Sequence, residues 1–227
     1  VRYVHLAQQE WAAGQRRYDQ PGRNHFWVFR VSEMRHRHCT DTRMVETLNR
    51  CKPGSLEDPV NKYDTPASLA AGIAAGIFGE SGRLGQKETD RLGAECVALT
   101  HGHPMAFLPG AVAAHLVSTC LRHADKPLKA LIRESLKALQ SQFQRDFPRE
   151  VSQITALAEQ AMSLAEERLM QPVRAMERLK CDTGAEVLAG AIYAALLCEE
   201  DFDNAMVVAV NHSGRSAAVG ALTGAVL

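Results

Sequence analysis

Apolar positions recur at helical spacing along most of this chain, and proline repeatedly marks where one stripe ends and the next begins. Tyr3 to Gln15 places Tyr3, Leu6, Ala7 and Trp11 on one face and predicts a first helix. Arg16 to Cys39 is polar and aromatic, with Pro21-Gly22 as a turn signal. Inside it, Phe26, Trp27, Val28, Phe29 and Val31 fit either a short strand or an anchored loop. Met44 to Arg50 predicts a short helix before the break at Lys52-Pro53-Gly54-Ser55. Asp64-Thr65-Pro66 opens the next helix, with Thr or Asp as cap and proline in the first turn.

From Ala67 onward the pattern is helical throughout. Ser68 to Phe78 is small and apolar and ends at Gly79; Glu88 to Thr100 carries Leu92, Cys96 and Leu99 on one stripe. Pro104 to His123 is apolar on every face, which predicts a central, buried helix. Pro127 to Phe147 is amphipathic, Pro148 starts a helix to about Met170, and Pro172 starts a short one ending near Lys180. Ala185 to Glu199 follows Thr183-Gly184, Asp201 caps Phe202 to Val210, and Ser213 or Gly214 opens a last helix to Leu227. No stretch after Ala67 alternates with period two, so the chain reads as an all-α bundle of about eight to ten helices. Without a fixed-period repeat, a solenoid is the weaker architecture. The last helix stops uncapped on Val226-Leu227 and the chain begins on Val1 rather than Met, so the bundle is expected to be incomplete at both ends. Residues 1–43 form an N-terminal segment with one helix, and residues 44–227 one helical domain, a single domain in all.

Composition narrows the function classes. The 26 Lys and Arg balance 26 Asp and Glu, so there is no positive surplus to displace phosphate counterions and no general nucleic-acid binder is expected. No apolar run reaches the ~20 residues of a membrane span. Val1-Arg2-Tyr3-Val4-His5 lacks the basic and apolar regions of a signal peptide. The six cysteines, Cys39, Cys51, Cys96, Cys120, Cys181 and Cys198, form no C-x-x-C pair. Free thiols in a reducing cytoplasm are therefore expected.

Four places carry candidate chemistry. In Thr100-His101-Gly102-His103-Pro104, His101 and His103 flank a glycine between two apolar helices. They suit a metal or ligand, or else a helix connection whose imidazoles satisfy backbone groups. In Asn211-His212-Ser213-Gly214-Arg215-Ser216, a polar stretch leads into a small-residue helix. Free amides at that helix start, with Arg215 and two serines, suit a phosphate or carboxylate; the alternative is a tight crossing with Arg215 in an ion pair. Thr40-Asp41-Thr42 lies beside His36, His38 and Cys39, but Arg35, Arg37 and Arg43 repel a cation, so a solvated basic turn is favoured. Finally, Glu186 follows Asp182 and Thr183, either facing inward for function or sitting at a helix start for electrostatic reasons.

The first two motifs, in this order, resemble the ADP-ribosylglycohydrolase family, the all-helical group that includes dinitrogenase-reductase-activating glycohydrolases. Thr100 to Pro104 resembles the family's T-H-G-H-P run, and Asn211 to Gly214 its N-H-S-G run before a small-residue helix. Glu186 to Leu197 with Asp201-Phe202 resembles the helix and acidic turn between them. Arg50 to Ser55 resembles an R-x-P-G-N-T segment, and Asn61 to Phe78 has the position and length of the block after it. The resemblance implies an orthogonal multi-helix bundle and a hydrolase that removes ADP-ribose from modified proteins. It also implies Mg²⁺ ions held by an N-terminal T-D-D-T motif and a D-x-D pair in the last motif, as Lewis acid and template. Its partners would be ADP-ribose or an ADP-ribosylated protein, with no nucleic acid and no membrane.

The chain departs from that pattern where the metal would sit. Arg215 and Ala217 stand at the two aspartate positions, and neither can ligate a cation. Thr40-Asp41-Thr42 imitates T-D-D-T but lies too close to Arg50, Pro53 and Gly54. Tyr63 to Ser68 replaces the family's S-K-G-C-G-like run. The sequence therefore predicts an impaired hydrolase, or an inactive relative that binds ADP-ribose or another nucleotide diphosphate through His101, His103 and Asn211 to Ser216, or a helical partner-binding domain.

Overall fold

The computed structural model describes residues 1–15, 26–31, 41–49 and 52–227. Among these, eleven α-helices and two 3-10 turns occur and no strand. The helices are α1 (Arg2–Gly14), α2 (Thr42–Asn49), α3 (Ala70–Ser81), α4 (Gln86–Ala98), α5 (Pro104–Arg122) and α6 (Leu128–Phe143). They continue with α7 (Pro148–Glu167), α8 (Pro172–Leu179), α9 (Gly184–Leu197), α10 (Phe202–Val210) and α11 (Ser216–Val226). The fold is all-α, as the pattern predicts. Helices α5, α7 and α8 each begin on the proline that marks the break, where a missing amide costs nothing. Asp201 caps α10 as expected, its Oδ1 accepting the Asn204 amide at 3.1 Å.

One open alternative is decided and one expectation is corrected. Phe26 to Val31 is not a strand: Trp27–Arg30 is a 3-10 turn, closed by Phe29 N–H to the Phe26 carbonyl and Val31 N–H to Val28. It is anchored on α1, where Glu10 accepts the Phe26 amide at 3.3 Å. Thr65 does not cap α3. A 3-10 turn over Pro66–Ser68 intervenes, and the Thr65 hydroxyl turns to Asp41 and His101 instead.

Two apolar helices, α5 and α9, pack on each other and organise the rest. Every residue of α5 from Ala106 to Thr119 is buried. Its length and composition would suffice to cross a membrane, but 78% of that stretch is buried inside the fold, so it is a core helix. Helices α3, α4 and α6 surround α5; α7, α8, α10 and α11 surround α9; α11 also reaches α3 and α5.

The approach of α3 and α4 to α5 is set by glycine. A Cβ on Gly72 would lie 2.6 Å from the Gly110 carbonyl oxygen, and one on Gly93 2.5 Å from the same atom. A Cβ on Gly76 would lie 2.6 Å from the Ala114 carbonyl oxygen. Three backbones thus meet around Gly110 with no side chain between them, and dispersion contacts replace large apolar side chains. The aromatic share of only 6% agrees with a core built this way.

On the α6 side of this layer lies a buried acid. Asp90, 2% exposed, takes Gln142 Nε2 at 2.6 Å, Gln86 Nε2 at 2.8 Å and His115 Nδ1 at 3.0 Å. Donors from three elements satisfy it, which offsets the cost of removing a carboxylate from water. The cysteines among the described residues, Cys96, Cys120, Cys181 and Cys198, are free thiols. Burial pushes Cys120 up to about 11 and Cys181 up to about 12, so neither is a nucleophile near neutral pH.

Gly72→Ala tests the close packing directly, because the obstacle is backbone and cannot swing aside. It is expected to cost about 1–3 kcal/mol, seen as a fall in Tm of about 3–10 °C. Exposed Ala74→Gln on the same helix should stay within about 0.5 kcal/mol of the parent. Equal Tm for Gly72→Ala and the parent would contradict the backbone contact.

Candidate functional site

Thr100 to His103 forms the tight turn between α4 and α5. Asn61 fixes it from outside: its Oδ1 accepts the Tyr63 and Gly102 amides, each at 3.0 Å. Its Nδ2 donates to the Thr100 carbonyl at 2.8 Å and to Thr47 Oγ1 at 3.0 Å. All four hydrogen bonds of one amide are used. Gly102 is required here, since a Cβ would collide with the Asn61 carbonyl oxygen.

His101 points inward and is 0% exposed. Its Nε2 lies 2.9 Å from Thr65 Oγ1; its Nδ1 lies 2.8 Å from Ser68 Oγ and 2.9 Å from Thr100 Oγ1. Thr65 donates its one hydroxyl proton to Asp41 Oδ2 at 3.1 Å. The Thr65 oxygen must therefore accept from His101, which assigns the proton of a neutral ring to Nε2 and leaves Nδ1 as acceptor. Burial holds His101 down to about 4 from an ordinary 6.5, against the weaker upward pull of Asp41 and Asp64. The Tyr63 ring meets His101 edge-on, centroids 6.4 Å apart, and Arg43 stacks over Tyr63 at 5.5 Å. Asp41 is half-buried and bound to Thr65, rather than part of a solvated turn. His36, His38 and Cys39 lie outside the described residues.

His103 caps α5. Its Nδ1 accepts the Met105 amide at 3.1 Å, which makes Nε2 the N–H end of the neutral ring. That Nε2 has no protein partner among the described residues, so it is the one imidazole atom of this turn free to donate to a ligand.

The second motif is tied down residue by residue. Asn211 Nδ2 donates to the Val207 carbonyl at 2.6 Å, closing α10. His212 Nε2 donates to the Ala209 carbonyl at 3.0 Å while Nδ1 accepts the Gly214 amide at 3.1 Å. Ser213 gives its amide to Glu177 Oε1 at 2.8 Å and its hydroxyl to Oε2 at 2.6 Å. These bonds hold the Glu177 carboxyl below its ordinary range. The Arg215 amide donates to the Cys181 carbonyl at 2.9 Å. Because residues 213–215 are held by α8 and its exit, α11 begins at Ser216 rather than at Ser213 or Gly214.

That helix start offers fewer free amides than the sequence implies. Ser216 N–H goes to Gly214, and those of Ala218 and Val219 go to Arg215. The Ala217 amide and the exposed Arg215 guanidinium remain without a partner among the described residues.

No hydrogen bond joins the two motifs directly among the described residues. Cys181 to Gly184 links them. Cys181 holds Arg215, and Gly184 N–H reaches the Asp64 carbonyl at 2.9 Å. A Cβ on Gly184 would lie 2.8 Å from the Met105 carbonyl oxygen, so the starts of α5 and α9 touch there. Lys180 and Cys181 both take positive φ, 65° and 58°, to turn the chain between these contacts. Glu186 serves as a helix-start cap. Its Oε2 accepts the Asp182 and Thr183 amides at 3.2 and 3.0 Å, a capping box completed by Glu186 N–H to Thr183 Oγ1.

Asn61, Ser68 and Glu177 were not singled out by the sequence, Thr65 had a local signal only as a cap, and Asp41 stood in a run read as a solvated basic turn. Among the described residues, no group of three or more His, Cys, Asp or Glu could hold a metal ion.

A buried neutral His101 makes stability depend on pH with a definite sign. Between its ordinary 6.5 and about 4, the unfolded chain binds the proton and the folded one does not, so stability falls as pH is lowered through that window. The loss is on the order of 3 kcal/mol. Urea unfolding at pH 7.5, 5.5 and 4.5 should show His101→Gln losing less stability over this range than the parent. Equal losses in the two proteins would contradict a neutral His101.

The comparisons give one family and nothing nearer. No curated protein and no solved structure matches the chain. The family model for ADP-ribosylglycohydrolase matches residues 2–227, which includes the N-terminal residues that the motifs do not reach. With essentially the whole chain covered, this protein belongs to the ADP-ribosylglycohydrolase family.

Proposed function

We propose that this chain recognises ADP-ribose, free or attached to a protein, and is impaired in the Mg²⁺-assisted hydrolysis that its family resemblance implies. The observation that carries this reading is Arg215, exposed and unpaired among the described residues at the N-cap of α11. A guanidinium there attracts a diphosphate by charge-assisted hydrogen bonds and repels a divalent cation.

The described residues do not fit Mg²⁺, which takes near-octahedral oxygen ligands. Beside the second motif, both Glu177 oxygens accept from Ser213. Ala217 offers no side-chain donor. Asp41 spends one oxygen on the Arg43 amide and the other on Thr65. No hydrolytic step is therefore routed through a metal. Recognition would rest on Arg215 for the diphosphate and His103 Nε2–H for a ribose or phosphate oxygen. His101, with both ring nitrogens occupied, supports the turn from beneath.

Calorimetric titration with ADP-ribose tests the reading. Binding is expected, weakened about tenfold by Arg215→Ala and by raised salt. Incubation of an ADP-ribosylated protein with the chain and Mg²⁺ should release no ADP-ribose above background. Chelator-sensitive release would overturn the impairment, and absence of binding would leave a helical partner-binding domain.

A further inference from the structure

We propose that Glu177 is the positioning residue of the ligand loop, acting through Ser213 to present Arg215. This inference rests on the ADP-ribose reading above but stands on separate observations.

The loop from Ser213 to Arg215 is held at three successive points by α8 and its exit. Glu177 takes both the amide and the hydroxyl of Ser213 in one bidentate contact, at 2.8 and 2.6 Å. Gly214 lies so close to the Lys180 carbonyl oxygen that any side chain would collide with it. The Cys181 carbonyl accepts the Arg215 amide at 2.9 Å. The last two contacts are made by the backbone oxygens of Lys180 and Cys181, not by their side chains. Among the described residues, Glu177 is the one side chain from outside the 211–216 motif that bonds the loop, and it spends both its oxygens on one residue two positions before Arg215.

The clamp is also anchored. Ala175, Met176 and Leu179 on either side of Glu177 are buried, so α8 cannot slide along the core without losing them. The carboxylate itself is exposed, and α8 gains no packing from it. That combination separates positioning from stability. Truncation of Glu177 frees the Ser213 amide and hydroxyl to water but leaves the buried face of α8 intact. Gln at this position keeps the length and planar end, accepting the Ser213 amide through Oε1 and donating to its hydroxyl through Nε2.

The experiment compares Glu177→Ala and Glu177→Gln with the parent chain by thermal unfolding, by amide hydrogen exchange at Ser213 and Arg215, and by titration with ADP-ribose. Glu177→Ala should keep its Tm within about 2 °C, exchange faster at both amides, and bind ADP-ribose about fivefold more weakly. Glu177→Gln should restore exchange and affinity to within about twofold of the parent. Parent-like exchange in Glu177→Ala overturns the proposal, as does a Glu177→Gln protein no better than Glu177→Ala. If the parent does not bind ADP-ribose, the functional reading fails on its own, and the exchange rates alone decide whether Glu177 holds the loop.

Discussion

The structure depends on backbone-to-backbone contact around Gly110. Gly72 of α3 and Gly93 of α4 both close on its carbonyl oxygen, and Gly76 closes on that of Ala114 one turn later. Such contacts admit no spacer, so the positions of α3 and α4 along α5 are fixed to within a few tenths of an ångström. The Thr100–His103 turn joins α4 to α5 just above this layer, and the 3-10 turn over Pro66–Ser68 feeds α3 beside it. Both turns inherit the rigidity of the helices they connect. Thr65 and Ser68 are thereby held against the two nitrogens of His101.

Rigid apolar packing forces a decision about every polar group it encloses. His101 resolves it by remaining neutral, with a hydroxyl on each nitrogen and Asp41 behind Thr65. Asp90 resolves it by collecting donors from Gln86, His115 and Gln142. The two solutions differ because the donors differ. Hydroxyls can serve either end of an imidazole, while amide and ring N–H groups favour a charged acceptor. The histidine that looks most like a ligand in the sequence is therefore the one most completely used by the fold. His103, which the same motif places one glycine later, keeps its outer nitrogen free.

The helices were legible because their signals are local: prolines at 104, 148 and 172, the Asp201 cap, and apolar stripes of helical period. The site was legible only as two motifs. What binds each motif comes from far along the chain, Thr65 against His101 across 36 residues and Glu177 against Ser213 across another 36. Nothing local marks Glu177 as different from its exposed neighbour Arg178. Local signals also misled where tertiary contacts outbid them. Thr65 has the chemistry of a cap, but its hydroxyl gains more from Asp41 and His101. Phe26 to Val31 has β-prone residues, but it lies on α1 with no neighbouring strand among the described residues.

Family membership fixes the scaffold, and the proposed recognition turns on the charge that α11 carries at its start. The small-residue helix, the Asn211–Gly214 run and its seat on α8 are all present, so the scaffold for a ligand loop is kept. Where the family resemblance implies an aspartate, the tip of this loop carries Arg215. A carboxylate at position 215 would draw a divalent cation, whereas the guanidinium of Arg215 repels one at short range and attracts the anionic groups a cation would otherwise bridge. One substitution thus inverts the electrostatics of the loop without disturbing the contacts that hold it, because Arg215 is fixed through its amide rather than its side chain. On the reading proposed above, diphosphate binding survives such a charge and metal-assisted hydrolysis does not. The first needs a positioned positive charge, while the second needs several oxygen ligands that this loop has either lost or already committed.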